Sequence, residues 1–495
     1  MPRAAGHPMN APMIRKGERK SGLVSSRDSR DGAGGGFRKR IHGFVAAVIG
    51  ALAVLILVPA LAAAADAKLK VVPDRIDDVA PIAPERDPIP TFANFAWRAF
   101  IALNWPGFAN PEQRGEVDRA KTLGDAGPRV WETWKSRHEV FQQDEAGYAR
   151  VPAPWKSAGD SNPCDRAGGS QTKTLSSFTG FDEFNQAGAS LDRPANPLVA
   201  QNRTYTRYEV RFNEQEFNSI VDRKWYVRDN LPTPQAPGAF QFGSIEVKAA
   251  WRVLTERDTP AIRARYYIVK DAAVSAITKN SPAGAPICGV ADVALVGLHI
   301  VVKTKYRPQW IWMSFEHVDN VPPIGIGNAR EPDAKDAQVP YAFNDVLKRP
   351  TRANPPLNAS MLAPISASNP PQSDPEPIQV VRQRPIHAGI MAMNRAYWAM
   401  PEIRNTVWAN YMLVMAQWPT SARPAGPKNP GHPFPASSVT TNLANTSMET
   451  FQQHAPTSCM SCHHQVSNVQ GRDFVAFMGV SANKAPPQSA DLFLK

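Results

Sequence analysis

The sequence predicts an α+β fold in which a central antiparallel β-meander is flanked by helices. Three observations carry this expectation. Apolar residues recur at helical spacing between Phe92 and Leu103, and near Thr204 the period switches to strict alternation. Between residues 241 and 318 four strand-like stretches then succeed one another, with no helix of crossover length between them, which favours hairpin pairing over a parallel sheet. With 43% hydrophobic and 20% charged residues over 495 positions, the composition is globular and the length suits one large unit or two medium ones.

Residues 1–65 read as a leader. Arg38-Lys39-Arg40 precedes an apolar run over residues 43–65 that closes on alanines, the three parts of a secretory signal peptide. The alternative is an uncleaved N-terminal anchor, because the run is long enough to span a bilayer. The leader also explains most of the net charge of +12. It holds ten Lys/Arg against three Asp/Glu, leaving 46 against 41 in the remainder, a net of +5. No basic stripe interleaved with aromatics accompanies that remainder, so nucleic acid is not an expected partner.

The body is expected over residues 66–345. Residues 71–90 form an extended lead-in, and the first helix begins near Phe92 and stops at Pro106-Gly107. A second helix is expected from Val130 through Trp134 to Phe141, with the aromatics of both in the core. Residues 144–203 accumulate Gly, Ser, Asn and Pro and read as irregular surface. Thr204 to Phe212 alternates as a strand, and Asn213 followed by Glu216 resembles a capping box opening a helix with Phe217, Ile220, Val221 and Trp225.

The four strands of the meander are expected at 243–254, 263–269, 293–304 and 309–317, the last two joined by a turn around 305–308. Alternation puts Trp310, Trp312, Ser314 and Glu316 on one face, and Ile311, Met313, Phe315 and His317 on the other. Glu316-His317 reads as a solvated strand end. Residues 322–385 are dense in proline and low in periodicity, with 346–385 taken as a linker or surface excursion. Within the C-terminal region, 386–495, a helix is expected at 390–400, a strand within 406–418, and a loop from 419 to 435, which contains six prolines.

Near the chain end stands Cys459-Met460-Ser461-Cys462-His463, the C-x-x-C-H pattern of c-type haem attachment. On a helical turn, positions i, i+3 and i+4 share a face, so two thiols can bond the vinyl groups of one haem while the imidazole reaches its iron. Chance would produce the pattern in about one chain per thousand of this composition. A thioredoxin-like reading lacks the strand before the motif, and a zinc reading lacks further ligands, since the next cysteine lies 171 residues upstream. The full fold-class expectation is thus an α+β meander with a C-terminal c-type haem-attachment segment packed on it.

Only 32 residues follow His463, too few for a small cytochrome c domain, so upstream elements must cover the haem. Thr446 or Ser447 can cap a short helix through Met448 to Gln453, and Phe474, Phe477 and Met478 recur at helical spacing. Met478 is the candidate sixth iron ligand nearest in sequence. Met448, His299 and His317 are the others, and an open five-coordinate iron is a further alternative. His464 is expected to support the ligand or to be exposed. Cys164 and Cys288 form the leftover pair. In an oxidising compartment they would most simply make a disulfide contributing about 4 kcal/mol; two buried thiols are the alternative.

Several segments resemble a family of bacterial proteins known as cytochrome c family proteins. The similar stretches are Phe95-Ala96-Trp97 through Asn104-Trp105-Pro106, Val130-Trp131-Glu132-Thr133-Trp134, Val296-Gly297-Leu298-His299-Ile300-Val301, Trp310-Ile311-Trp312-Met313-Ser314-Phe315-Glu316-His317, and Leu443-Ala444-Asn445-Thr446 through His463. The resemblance implies a periplasmic protein with one covalent haem c on Cys459, Cys462 and His463. It implies no substrate or reaction.

The functional expectation is therefore an exported monohaem c-type cytochrome acting in periplasmic electron transfer or redox chemistry. Its partners would be haem-maturation machinery and a redox protein, with membrane contact only through an uncleaved N-terminal segment. A haem enzyme of peroxidase or oxygenase type and a haem-based sensor are the alternatives. No Walker A, G-x-S-x-G or H-E-x-x-H pattern marks a second activity.

Overall fold

The computed structural model describes residues 87–157, 174–175, 197–276, 287–323, 340–347, 374–419, 445–453, 458–460, 463 and 471–486. The leader, Cys164, Cys462, His464 and most of the proline-rich 346–385 stretch lie outside these residues. So does the side chain of Cys288, and with it the expected disulfide.

Helix α1 (Ile89–Asn104) forms as its spacing predicts. Its aromatic residues Phe92, Trp97 and Phe100 are wholly buried. The second expected helix is broken. A 3-10 turn at Val130–Thr133 is followed by the short strand β1 (Lys135–Ser136) and the single turn α2 (Arg137–Val140). Ser136 causes the break: its hydroxyl accepts the Glu139 N–H while the Glu139 carboxylate accepts the Ser136 N–H, so a new helix starts inside the apolar period.

The remaining strands are β2 (Thr174–Leu175), β3 (Thr206–Phe212), β4 (Ile245–Val253), β5 (Ile268–Ala276), β6 (Ile287–Val302), β7 (Ile311–His317) and β8 (Tyr411–Gln417). Helix α3 (Glu214–Asp222) follows β3, with Asn213 Oδ1 accepting the Glu216 N–H at 3.2 Å. Only half of the expected capping box exists, because the Glu216 carboxylate makes no hydrogen bond. A one-turn helix α4 (Pro260–Arg263) takes the start of the strand expected at 263–269, and β5 begins later.

Among the named strands all pairings are antiparallel except that of the short β2, which lies parallel to β5. The order differs from a simple meander. β6 pairs with β4 along one edge, while its other edge is shared end to end by β5 and β7. The reason is length: at 16 residues β6 extends over about 50 Å, so one edge can hold two shorter partners. β8 pairs with β7 and brings the C-terminal region into the same sheet.

One sheet face is covered by α1 and α5 (Ala388–Trp398). Phe315 stacks on Phe100 at 4.3 Å and meets Trp97 edge-on at 5.3 Å, and Trp97 stacks on Tyr397 at 4.9 Å. The opposite face, bearing Trp312, Ser314 and Glu316, receives residues 445–453, 458–460 and 463. The two faces of β7 follow the expected alternation, and every residue of β7 is buried. Among the described residues no helix is long and apolar enough to cross a membrane.

Candidate functional site

The segment carrying Asn445, Thr446 and Ser447 is docked on the sheet by buried polar contacts. Asn445 Nδ2 donates to Ser314 Oγ (3.2 Å) and to the Phe315 carbonyl (2.7 Å), and Tyr208 Oη donates to the Ser447 carbonyl (2.7 Å). The Glu316 carboxylate accepts the Thr446 N–H and hydroxyl, both at 2.8 Å, and pairs with Arg382 from the proline-rich strap. Glu316 is thus a buried anchor, which corrects its reading as a solvated strand end. Gly297 on β6 makes the approach possible: a Cβ there would lie 2.3 Å from Ser447 Oγ. The helix expected from Met448 to Gln453 is reduced to a 3-10 turn at Thr450–Gln452.

Beyond this segment Cys459, Met460 and His463 lie in helical backbone. Cys459 is half-buried, and the Met460 N–H approaches Gln417 Oε1 of β8 at 3.5 Å. The His463 ring lies against Trp312, with centroids 4.3 Å apart at 51°. Its Nδ1 is 2.7 Å from the Phe474 carbonyl. A carbonyl only accepts, so Nδ1 carries the proton and Nε2 keeps its lone pair. Burial pushes the His463 pKa down to about 4; the Phe474 carbonyl opposes this, while Lys248 and His299 reinforce it. The ring is neutral at pH 7, the state in which imidazole ligates iron.

Lys248 of β4, His299 of β6 and Ser314 of β7 are register partners on this same face. His299 Nε2 lies 3.4 Å from Glu449 Oε1, too poorly aligned for a hydrogen bond. Burial raises the Glu449 carboxyl, but His299, Lys248 and the Asn445 N–H outweigh it and hold the pKa below the usual value. Desolvation lowers the Lys248 pKa, against the pull of Glu449, Glu246 and the Cys459 thiol. Lys248 and His463 keep partial solvent contact although burial dominates their ionisation.

The other candidates of the sequence separate cleanly by place. His317 is wholly buried on the opposite face, stacked on Tyr266 at 3.7 Å. Its Nδ1 accepts the Asp319 N–H and its Nε2 donates to the Arg265 carbonyl, so both nitrogens are used. It is a structural histidine. Met448 is buried against Gln453's turn and Gly297 in the smaller core cluster, with its methyl 3.2 Å from the place of a Gly297 Cβ. Met478 is wholly buried in the main core on α6 (Phe477–Ser481). Phe474, expected on the same helix, lies before it. Among the described residues no three His, Cys, Asp or Glu side chains converge to hold a bare metal ion.

Sequence reasoning missed Lys248 and Glu449, because neither carries a local pattern; register alone brings Lys248 beneath the motif. It also missed Lys303 and Asp473, which form a buried ion pair at 2.9 Å beside the Phe474 carbonyl. Comparison with protein-family models, curated proteins and solved structures finds no match for the chain.

Proposed function

We propose that the chain is an exported, periplasmic protein that carries one covalent haem c, and that it serves electron transfer. The observation that carries this reading is His463. It is the last residue of C-x-x-C-H, buried and neutral, with Nδ1–H donated to a backbone carbonyl and Nε2 left with a lone pair. An imidazole oriented through its other nitrogen is the arrangement that metal-ligating histidines adopt. Cys459 stands one helical turn before it, and Cys462 completes the spacing in the sequence.

The donor set fits haem better than a bare ion. Porphyrin supplies four nitrogens, so a single protein imidazole and two thioether bonds suffice. When bound, the group supplies a one-electron couple. The protein's own residues then have definable tasks. Cys459 and Cys462 would tether the haem, His463 would ligate its iron, Trp312 would support the imidazole, and residues 445–449 would flank the group. His299 is the candidate second ligand on the same side of the sheet as His463, and Met478 is the candidate from the apolar core.

A haem enzyme is the second reading, favoured by one observation: Lys248, His299 and Glu449 put an ammonium, an imidazole and a carboxylate close to His463, more polar chemistry than a carrier needs. Rapid carbon monoxide binding by the ferrous protein would favour the enzyme, and a six-coordinate unreactive spectrum the carrier. The primary test is export of the wild type and of a Cys459→Ser/Cys462→Ser double variant beside a haem-maturation system. Denaturing electrophoresis with haem staining should show the wild type stained and the double variant blank. Equal staining, or none in the wild type, refutes the reading.

A further inference from the structure

The carbonyl that receives His463 belongs to an unusual piece of backbone. Asp473 and Phe474 are consecutive non-glycine residues in the left-handed region, with φ of 49° and 68°. Aspartate tolerates that region, but phenylalanine has no local reason to enter it. Such conformations persist only where the surroundings over-determine them, and they cluster at functional sites.

Here the surroundings are explicit. The Asp473 carboxylate accepts the Phe240 N–H at 2.8 Å and meets Lys303 Nζ at 2.9 Å; its backbone carbonyl accepts Trp310 Nε1 at 3.0 Å. Lys303 also donates to the Pro308 carbonyl, and Trp310 is itself left-handed at φ 70°. On the other side Gly471, at φ 67°, lies so close to Thr233 that a Cβ would come within 2.2 Å of its carbonyl oxygen, while Gly238 N–H donates to the Gly471 carbonyl. The β6–β7 turn and the 233–240 loop thus grip residues 471–474 from two sides.

We propose that the Lys303–Asp473 pair is a positioning device that fixes the Phe474 carbonyl on His463 Nδ1–H and thereby sets the reduction potential of the haem. This rests on the haem reading above. Both side chains are only 4% exposed, and a buried ion pair is weak evidence for stability, since similar-sized apolar residues often do as well. Its convergence with four left-handed residues, Gly471, Asp473, Phe474 and Trp310, around one acceptor gives it a different purpose. Donation from Nδ1–H to a carbonyl increases the electron density that Nε2 gives the metal and fixes the ring plane. A slackened loop weakens that donation, so the reduced state gains relative stability and the potential rises. Asp473 and Lys303 act through Phe474 and never touch the haem.

The test uses the full chain, exported with haem maturation, as wild type and as Asp473→Asn, Lys303→Met and Trp310→Phe variants. Haem staining comes first: an unstained wild type refutes the haem reading before any potential is measured. On stained, folded protein two quantities are read, the midpoint potential and the Nδ1–H resonance of isotopically labelled His463. Positioning requires all three variants to shift the potential positive and to weaken the Nδ1 hydrogen bond. A direct charge effect gives a different pattern. Removing the Lys303 cation would lower the potential, or leave it unmoved if Asp473 takes up a proton, while Asp473→Asn raises it. Opposite signs in the two variants, or an unchanged Nδ1 signal in all three, overturn the proposal. Trp310→Phe keeps an aromatic side chain and both charges while removing the donor to the Asp473 carbonyl, so it carries the test alone should an ion-pair variant fail to fold.

Discussion

Adjacent residues of β7 show how much a single alternation decides. Glu316 and His317 sit side by side in the sequence and face opposite layers, the first toward Thr446 and Arg382, the second toward Tyr266 and Tyr411. His317 supplies a measurable consequence. Desolvation lowers its pKa to about 4, with Asp319 and the Arg265 carbonyl opposing and the Arg265 and Arg252 charges reinforcing. In the unfolded chain the ring titrates near 6.5, so between these values the unfolded state binds more protons and stability falls as the pH falls. Stability is intact above about pH 6.5, and the loss is complete near pH 4, amounting to about 3 kcal/mol. Chemical denaturation of wild type and His317→Gln at several pH values should show a smaller acid-side loss in the variant, which keeps one donor and one acceptor. Parallel curves would show that the ring titrates normally. Alternation was legible at this strand, and so were the two faces. Burial of the Glu316 carboxylate was not, because its partners lie 66 and 130 residues away.

Elements were legible where period and punctuation agree. α1, the β3–α3 junction with its Asn213 cap, β4, α5 and β8 all stand near their expected places, since each joins an unbroken pattern to a local start or stop signal. The 130–141 helix failed because the reciprocal bonds of Ser136 and Glu139 restart the chain within an apolar run. The short helix expected before the motif failed for a related reason. Asn445 Oδ1 accepts the Ser447 N–H and hydroxyl, and this local side-chain bonding competes with helical turns. Gly297 matters to that packing, since its missing side chain leaves room for Ser447 Oγ and Asn445 Oδ1 against β6. Gly297→Val should force Ser447 and Asn445 off the sheet at a cost of about 1–3 kcal/mol. Hydrogen exchange should then report lost protection at residues 445–449, with β3 and β4 unaffected. Unchanged exchange at 445–449 would mean that Ser447 yields by rotation and that the close approach carries no energy.

Across the whole molecule, the least legible feature was strand order. Neighbours along the sequence are the natural guess for four successive strands, and only the length of β6 reveals that β5 and β7 can share one edge. The candidate site was legible as a motif but its surroundings were not, because Lys248, His299, Glu449, Trp312 and Asp473 come from five separate stretches that only the fold brings near His463. That dispersion leads to a prediction about coupling. Residues 445–453, 458–460, 463 and 471–476 meet the sheet through polar contacts beside a few apolar side chains (Met448, Phe451, Met460, Phe474 and Val475), whereas α1, β6 and β7 make up the centre of the apolar core. If the proposed haem is bound, it would favour the folded arrangement of the motif it is tethered to and should stabilise this layer most. Hydrogen exchange on the haem-bearing protein and on the Cys459→Ser/Cys462→Ser variant measures the difference residue by residue. Protection should fall at least tenfold in the three C-terminal stretches of the variant, while β3, β4 and the centre of β6 keep theirs. Uniform loss across the sheet would mean that haem and core fold as one cooperative unit, and no loss anywhere would mean that the layer is held without the tether.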